Sequence, residues 1–599
     1  MNKFKILACC VFFVLIFSFI CFAQEKEPEF TLDVSAQTVP LPKIFKPSVD
    51  LSGRGFNRAL SWPQALAAKE VLERWEKEVG FQGIYRLQYN LWEINEFAKD
   101  KNLQNQLLNN YEEIIQKITE AGGVVILDIF GTPAGLGKVL DKKSAPVDLK
   151  AFKELVKGYI RNLSCNKKYN IWYEVWSTPD SDDFFIGREQ EYLNMYRAIA
   201  EGIKELEAET KVYIPLGGPA VSWWFMNLER NTSATPGRSL IYDLIKFCCR
   251  YKLPLDFITW HAYSSDPEAD KEITVYKKPC IELIRDWLSY FHFDRNTPLI
   301  IDEWNFDRQA NVLPERSEKS HICASYVLAR LKNMWEAGLD AQLYFCLEDF
   351  QTNKEGIVRN VGIFWFGKET TSYEGGPKSI YNTFRMLNNL GPEMYVISKL
   401  NDAFIGIIAT KAQDSYTILI YNYIDPEIVR SYLSRNIAGL KEGERKVILS
   451  LIKTNRLEKI MNRQLDIAKL RANNRIKSLL RKALELNEQA LKFMNSSRTI
   501  RLSIKNLKEN YLFQRYTIDA SCSQNCEFVP VAEKEIGTSE PYQETLALDP
   551  YSLNLVVLKK KPPQAESINL EAGETKKATE PLTEPTPDKT PETQSETKK

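Results

Sequence analysis

The chain has 599 residues, 44% hydrophobic and 12% aromatic, enough for large packed cores, which excludes global disorder. Lys and Arg number 79 against 78 Asp and Glu, a net charge of +1, so no whole-protein field draws in nucleic acid. The histidines are His261, His292 and His321, too few for a His-rich metal site, and zinc-finger spacing is absent.

In chain order, Lys3 and Lys5 precede an apolar run from Ile6 to Ala23 that ends in Cys21-Phe22-Ala23. Polar Gln24-Glu25-Lys26 follows directly, so residues 1–23 are expected to be a cleaved export signal. The alternative is an uncleaved anchor, because a run of about 18 residues sits near the lower limit of a membrane span. No second apolar stretch of that length appears, so the remainder is expected to be soluble and outside the cytoplasm, with no other membrane span. Residues 24–46 carry Pro, Glu and Lys without periodicity and read as a leader. Beyond the signal, the cysteines are too sparse for a disulfide scaffold. Cys522 and Cys526, three polar residues apart, are expected to pair in an oxidising compartment.

From 47 to 392, short apolar runs alternate with helical patterns. A weak first strand at Asp50–Phe56 is followed by Gly83–Leu87, Gly123–Ile129, Asn170–Trp176, Lys211–Leu216, Asp256–Trp260, Pro298–Ile301 and Ala341–Cys346. Between them lie helices at Pro63–Val79, Asn105–Ala121, Asp148–Leu163, Glu189–Glu209, Arg238–Tyr251, Ile281–Phe291 and Ser317–Ala337. Eight strand–helix units argue for an α/β fold, a (β/α)8 TIM barrel. A doubly wound sheet would show a Gly-rich phosphate loop after an early strand, and none occurs.

From 393 to 558 the pattern turns to β, with strands at Asp402–Thr410, Tyr416–Ile424, Arg498–Ile504, Tyr516–Ala520 and Leu553–Leu558. This reads as a small β-sandwich. An inserted helical hairpin spans about 427–497, turns near Ala472-Asn473-Asn474 and carries a solvated basic face. Residues 559–599 are rich in Glu, Lys, Thr and Pro and read as a disordered tail.

In such a barrel the chemistry sits at the C-terminal ends of the strands. Those ends carry Arg86, Asp128, Trp176-Ser177-Thr178-Pro179-Asp180, Gly217-Gly218-Pro219, Trp260-His261-Ala262-Tyr263, Asp302-Glu303-Trp304-Asn305 and Glu348-Asp349. Carboxylates beside aromatic rings suit a sugar, whose C–H faces stack on rings while its hydroxyls need polar partners. No metal or cofactor is implied, and the expected partner is a carbohydrate.

Several stretches together carry a resemblance. Ile171-Trp-Tyr-Glu-Val-Trp-Ser-Thr-Pro-Asp180 and Leu299-Ile-Ile-Asp-Glu303-Trp-Asn305 resemble the fourth- and seventh-strand motifs of glycoside hydrolase family 39, the β-xylosidases and α-L-iduronidases. Leu216-Gly-Gly-Pro-Ala220, Asp256-Phe-Ile-Thr-Trp-His261-Ala-Tyr263 and Gly376-Pro-Lys-Ser-Ile-Tyr-Asn-Thr-Phe384 match the fifth strand, the sixth strand and the exit from the barrel. The resemblance implies a retaining glycosidase with two carboxylates flanking the glycosidic bond.

Glu303 falls on the nucleophile position. The acid/base position holds Thr178, and the Asn before it is replaced by Ser177. A Thr hydroxyl cannot cycle a proton near neutral pH as a carboxyl of raised pKa does. Glu174, Asp180, Glu348 and Asp349 are the carboxylates that could substitute, Glu174 being the weakest because it lies deeper on its strand. His261 and Tyr263 would line the sugar pocket and steer Glu303, with Trp304, Ser177 and Asp180 among the substrate contacts. Arg86 would hold the nucleophile ionised or make a buried ion pair, and Trp223-Trp224 would stack on sugar or simply pack. Two functional classes stay open, a glycosidase lacking its usual acid and a non-catalytic carbohydrate-binding or scaffold protein.

Overall fold

The computed structural model describes residues 28–53, 61–225, 239–274, 276–307, 313, 319–351, 358–367, 373–397, 400, 402–538 and 541–561. The expected export signal and nearly all of the expected tail lie outside the described residues.

Strands Val49–Asp50, Ile84–Asn90, Val124–Phe130, Ile171–Val175, Leu216–Val221, Phe257–Tyr263, Leu299–Asn305 and Ala341–Tyr344 form a closed parallel barrel. Closure is thin at the seam, where Tyr344 of the eighth strand pairs with Val49 of the first. Helices follow each strand, from Lys69–Glu78 through Ser320–Glu336 to Ser379–Asn388 after the eighth. The second large helix begins at Lys101, earlier than its apolar pattern predicts. Asp100 caps it, its carboxylate accepting from the backbone N–H groups of Asn102 and Leu103.

The fifth strand corrects the sequence reading, which places it at Lys211–Leu216 and treats Gly217-Gly218-Pro219 as the turn beyond it. The strand is Leu216–Val221, so the Gly-Gly-Pro run is barrel wall. Gly217 is required by close approach: a Cβ there would lie 2.4 Å from the Phe257 carbonyl oxygen on the next strand.

Inside the barrel, successive layers follow the two-residue period of a strand. Ile84, Ile126, Phe257, Ile300 and Leu343 fill an apolar lower layer. Two residues further along their strands come Arg86, Asp128, Thr259 and Asp302, a polar layer directly beneath the mouth.

A seven-stranded sheet stacks on a three-stranded one to make the sandwich. Its middle pair is Ile405–Ala412 and Ser415–Asn422, flanked on the second side by Leu553–Lys560. Along Ser415–Asn422, Ile418 and Ile420 face the sandwich core while Leu419 and Tyr421 join the barrel core. One strand therefore glues the two layers through its alternate residues. The segment expected to be an aperiodic leader contributes two strands. Glu29–Asp33 runs parallel to Arg498–Lys505, and Thr38–Pro40 pairs with Glu393–Tyr395. Pairing over such sequence distances leaves no local trace. Strands Ala532–Ile536 and Tyr542–Leu548 were likewise not expected.

The insert between strands is four helices, Ile428–Ile437, Glu442–Lys453, Arg456–Met461 and Asn474–Phe493, rather than a hairpin. They close over a small core of their own that includes Ile448, Leu451, Ile460 and Leu480. Asn473 caps the last helix by accepting from the Ile476 N–H, at the predicted turn. The disulfide expected between Cys522 and Cys526 is present, with Cα atoms 5.3 Å apart. No described helix is long and apolar enough to cross a membrane.

Candidate active site

Glu303 stands near the C-terminal end of the seventh strand, its side chain 12% exposed at the floor of the mouth. Three groups grip it, one from the second strand across the barrel and two from the adjacent sixth strand. The Arg86 Nη1 lies 2.9 Å from Oε1, the Tyr263 hydroxyl donates to Oε2 at 3.0 Å, and His261 Nδ1 is 3.4 Å from Oε2. The fold thus brings Arg86, His261 and Tyr263 within 3.4 Å of Glu303.

Arg86 does more than hold Glu303. Its Nε lies 2.7 Å from Glu174 and 3.6 Å from Asp302, and its Nη1 and Nη2 reach Asp50 at 3.0 Å and Asp128 at 3.4 Å. Five carboxyls, one guanidinium and one imidazole therefore share a buried layer. With every acid ionised and His261 protonated the layer would carry three uncompensated negative charges, a prohibitive cost away from water.

The resolution is protonation. Burial outweighs Arg86 and pushes Asp50 above the usual carboxylate range, Asp128 up to about 7, and Glu174 well above its ordinary value. Burial also opposes charge on His261 and Asp302, but each is the other's partner. Glu303 and Asp302 hold the imidazole above its ordinary value, and His261 holds Asp302 below its own. Proton uptake by Asp50, Asp128 and Glu174 lowers the uncompensated negative charge of the layer.

This balance fixes a pH dependence. Asp128 binds its proton more tightly folded than unfolded, so its destabilisation appears as pH rises above about 4 and is complete above about 7. Asp128→Asn mimics the protonated form. The unfolding free energy of the variant minus that of the parent should increase with pH between about 4 and 7, by at most about 1.4 kcal/mol per unit, and then level off. Urea titrations of both proteins across that range check it, and a difference that falls with pH contradicts the assignment.

Just beyond the fourth strand the backbone is unusual. Trp176 and Thr178 both have left-handed backbone, φ 68° and 51°, which bulky or β-branched residues adopt only where the surroundings impose it. Thr178 is buried, its N–H donating to Ala220 O at 2.9 Å and its hydroxyl 3.4 Å from that of Ser177.

The carboxylates considered as substitutes are engaged elsewhere. Asp180 accepts from the Ser222 N–H at 2.9 Å and from the Ser222 hydroxyl, tying the fourth and fifth loops together. Glu174 is held by Arg86. Glu348 accepts from the Ala68 N–H at 3.0 Å, and Asp349 accepts from Lys378 Nζ and the Gly362 N–H, both at 2.7 Å.

Trp304, expected among the sugar contacts, has no exposed surface. It packs edge-on against Tyr326 and Tyr344 and donates its indole N–H to Gln342 Oε1 at 2.6 Å, inside the barrel wall. Trp223 is half exposed and packs against Trp224 with ring centroids 5.7 Å apart. Asp50, which the sequence reading places at the start of the first strand without a role in the site, joins this layer through Arg86. Among the described residues no group of three or more His, Cys, Asp and Glu is arranged to hold a metal ion.

The comparisons agree with this geometry. The family model for glycosyl hydrolases family 39 matches residues 86–468. A curated β-xylosidase of Caldicellulosiruptor saccharolyticus is 23% identical over 383 residues, covering 60% of this chain and 72% of the relative. A second β-xylosidase, from Geobacillus stearothermophilus, is 24% identical over 266 residues, 42% of this chain and 48% of that one. Among solved structures, the GH39 enzyme of Xanthomonas axonopodis pv. citri superposes with a TM-score of 0.59 at 14% identity, over 89% of this chain and 98% of that one. A monomeric β-xylosidase from Caulobacter crescentus gives 0.56 at 14% identity, over 88% and 99%. Barrel, sandwich and matched motifs thus point one way: this chain belongs to glycosyl hydrolases family 39 and is a glycosidase.

Proposed function

We propose that the protein is a retaining glycosidase in which Glu303 is the nucleophile and the ordinary acid/base is missing from position 178. The observation that carries this is the grip on Glu303. Arg86, Tyr263 and His261 orient both of its oxygens while leaving part of the carboxylate open to the mouth. Glu303 attacks the anomeric carbon and forms a glycosyl ester, which water then hydrolyses. In an ordinary retaining enzyme a second carboxyl, ~5–5.5 Å from the nucleophile, protonates the leaving oxygen and later activates that water. By resemblance to the family's fourth-strand motif this position falls on Thr178, and Asp180, Glu174, Glu348 and Asp349 are tied to other partners.

Loss of positioned proton transfer costs a factor of ~10²–10⁴, or ~3–5 kcal/mol of barrier, unless the leaving group is already a weak base. Two curated relatives are β-xylosidases, so β-xylosides are the first substrates to test. The parent should cleave 2,4-dinitrophenyl β-xyloside far faster than xylobiose. Thr178→Glu with Ser177→Asn should raise kcat on xylobiose by ~10²-fold or more while changing the activated substrate little. Equal parent rates on the two substrates would mean that another acid serves. No turnover of any glycoside would favour the carbohydrate-binding reading. We further propose that the chain is exported, a reading supported by the Lys-flanked apolar N-terminus and the Cys522–Cys526 bond.

A further inference from the structure

Next to Tyr263 a second space opens, with a volume of about 480 Å³. Its wall is aromatic, formed by Trp223, Trp224 and Phe225 after the fifth strand, with Trp224 and Phe225 centroids 5.0 Å apart. Its far side is closed by Ile437 and Arg445 from the first two helices of the insert. That size and lining suit one small apolar or aromatic group.

Its place relative to the chemistry follows from the barrel order. In a retaining mechanism the leaving group departs from the face opposite the nucleophile, on the side of the acid/base position. Position 178 lies just past the fourth strand, and the fifth and sixth strands come next around the barrel. A group leaving past Thr178 therefore departs towards the loops that line this space, and Tyr263 touches both Glu303 and the cavity.

Charge narrows the occupant further. Of the cavity's two acids, Asp270 is paired with Arg330 at 2.8 Å. Burial, with Asp266 beside it, holds the Glu272 carboxyl above the usual carboxylate range. Arg445 has no ion-pair or hydrogen-bond partner for its guanidinium among the described residues. The space thus offers aromatic faces and an unmatched cation.

We propose that this cavity is the leaving-group site and that the substrate is an aryl glycoside whose aglycone is an aromatic acid of the hydroxybenzoate type. The proposal rests on the reading of Glu303 and Thr178 given above, and it makes chemical sense of it. A phenolate is a far weaker base than a sugar alkoxide, so its departure depends much less on the missing carboxyl. The bond between the anomeric carbon and the phenolic oxygen breaks, Glu303 takes the sugar as an ester, and the phenolate takes its proton from water.

Three β-xylosyl probes separate the parts: the fluoride, which has no aglycone, and the 4-carboxyphenyl and 4-carbamoylphenyl xylosides. Trp223→Ala should lower kcat/KM for both aryl probes at least about tenfold relative to the fluoride. Arg445→Met should lower it by a similar factor for the 4-carboxyphenyl probe relative to the 4-carbamoylphenyl one. Ratios unchanged in both variants would overturn the cavity's role while leaving Glu303 in place. If no probe turns over, β-xylosides are not its substrates, a failure separate from the cavity's role. Calorimetry then decides the cavity: saturable binding of 4-hydroxybenzoate, weakened at least about tenfold by Arg445→Met, supports it, and absence of binding overturns it.

Discussion

Glu303→Gln is expected to reduce kcat on 2,4-dinitrophenyl β-xyloside by a factor on the order of 10⁴ or more. The amide keeps the size of the side chain and an oxygen to accept from Tyr263. It cannot form the glycosyl ester, and no neighbour can replace it. Asp302 sits below it, held by His261 and Arg86. An activated leaving group makes the test clean, because the first step then needs only a nucleophile. The variant should fold, since Asp128, whose carboxyl is pushed up only to about 7, can ionise and supply the lost negative charge beside Arg86. Kinetics with a thermal melt check both points. A folded variant retaining more than about a hundredth of parental kcat would mean that the nucleophile lies elsewhere.

The largest effect on stability is expected from Arg86→Met, a loss of ~3–5 kcal/mol measured by urea unfolding at neutral pH. The side chain is buried with Asp50, Asp128, Glu174, Asp302 and Glu303 around it, so its removal strands acids that need its charge. The cost should shrink as pH falls, because the stranded carboxylates can then take up protons. Adding Asp128→Asn and Glu174→Gln should recover part of it. A loss below about 1 kcal/mol would contradict the charge balance assigned to this layer.

Much of the barrel was legible because its strands are short apolar runs between strongly patterned helices. The fifth strand was not, since Leu216-Gly-Gly-Pro-Ala-Val221 looks locally like a turn. It is a strand because Phe257 on the neighbouring strand leaves no room for side chains. The strands at Glu29–Asp33 and Thr38–Pro40 were hidden for a different reason, their partners lying hundreds of residues away. The site shows the same division. Glu303, Arg86, His261 and Tyr263 could be read from motifs at strand ends. That Asp180 is spent on Ser222 and Trp304 on Gln342 depends on loop paths that residue types do not encode. The aromatic cavity joins positions 223, 263, 437 and 445, which no local pattern connects.

The most direct test of the central claim is a mass spectrum of the intact parent protein taken during turnover of 2,4-dinitrophenyl β-xyloside. With Glu303 able to attack and no base at position 178 to activate water, the second step should limit the rate. The account predicts a burst of released phenol and a protein population heavier by one sugar, which peptide mapping places on Glu303. It also predicts that Thr178→Glu abolishes the accumulation by speeding hydrolysis of the ester. Turnover with no detectable adduct, or an adduct mapped to any other residue, would contradict it.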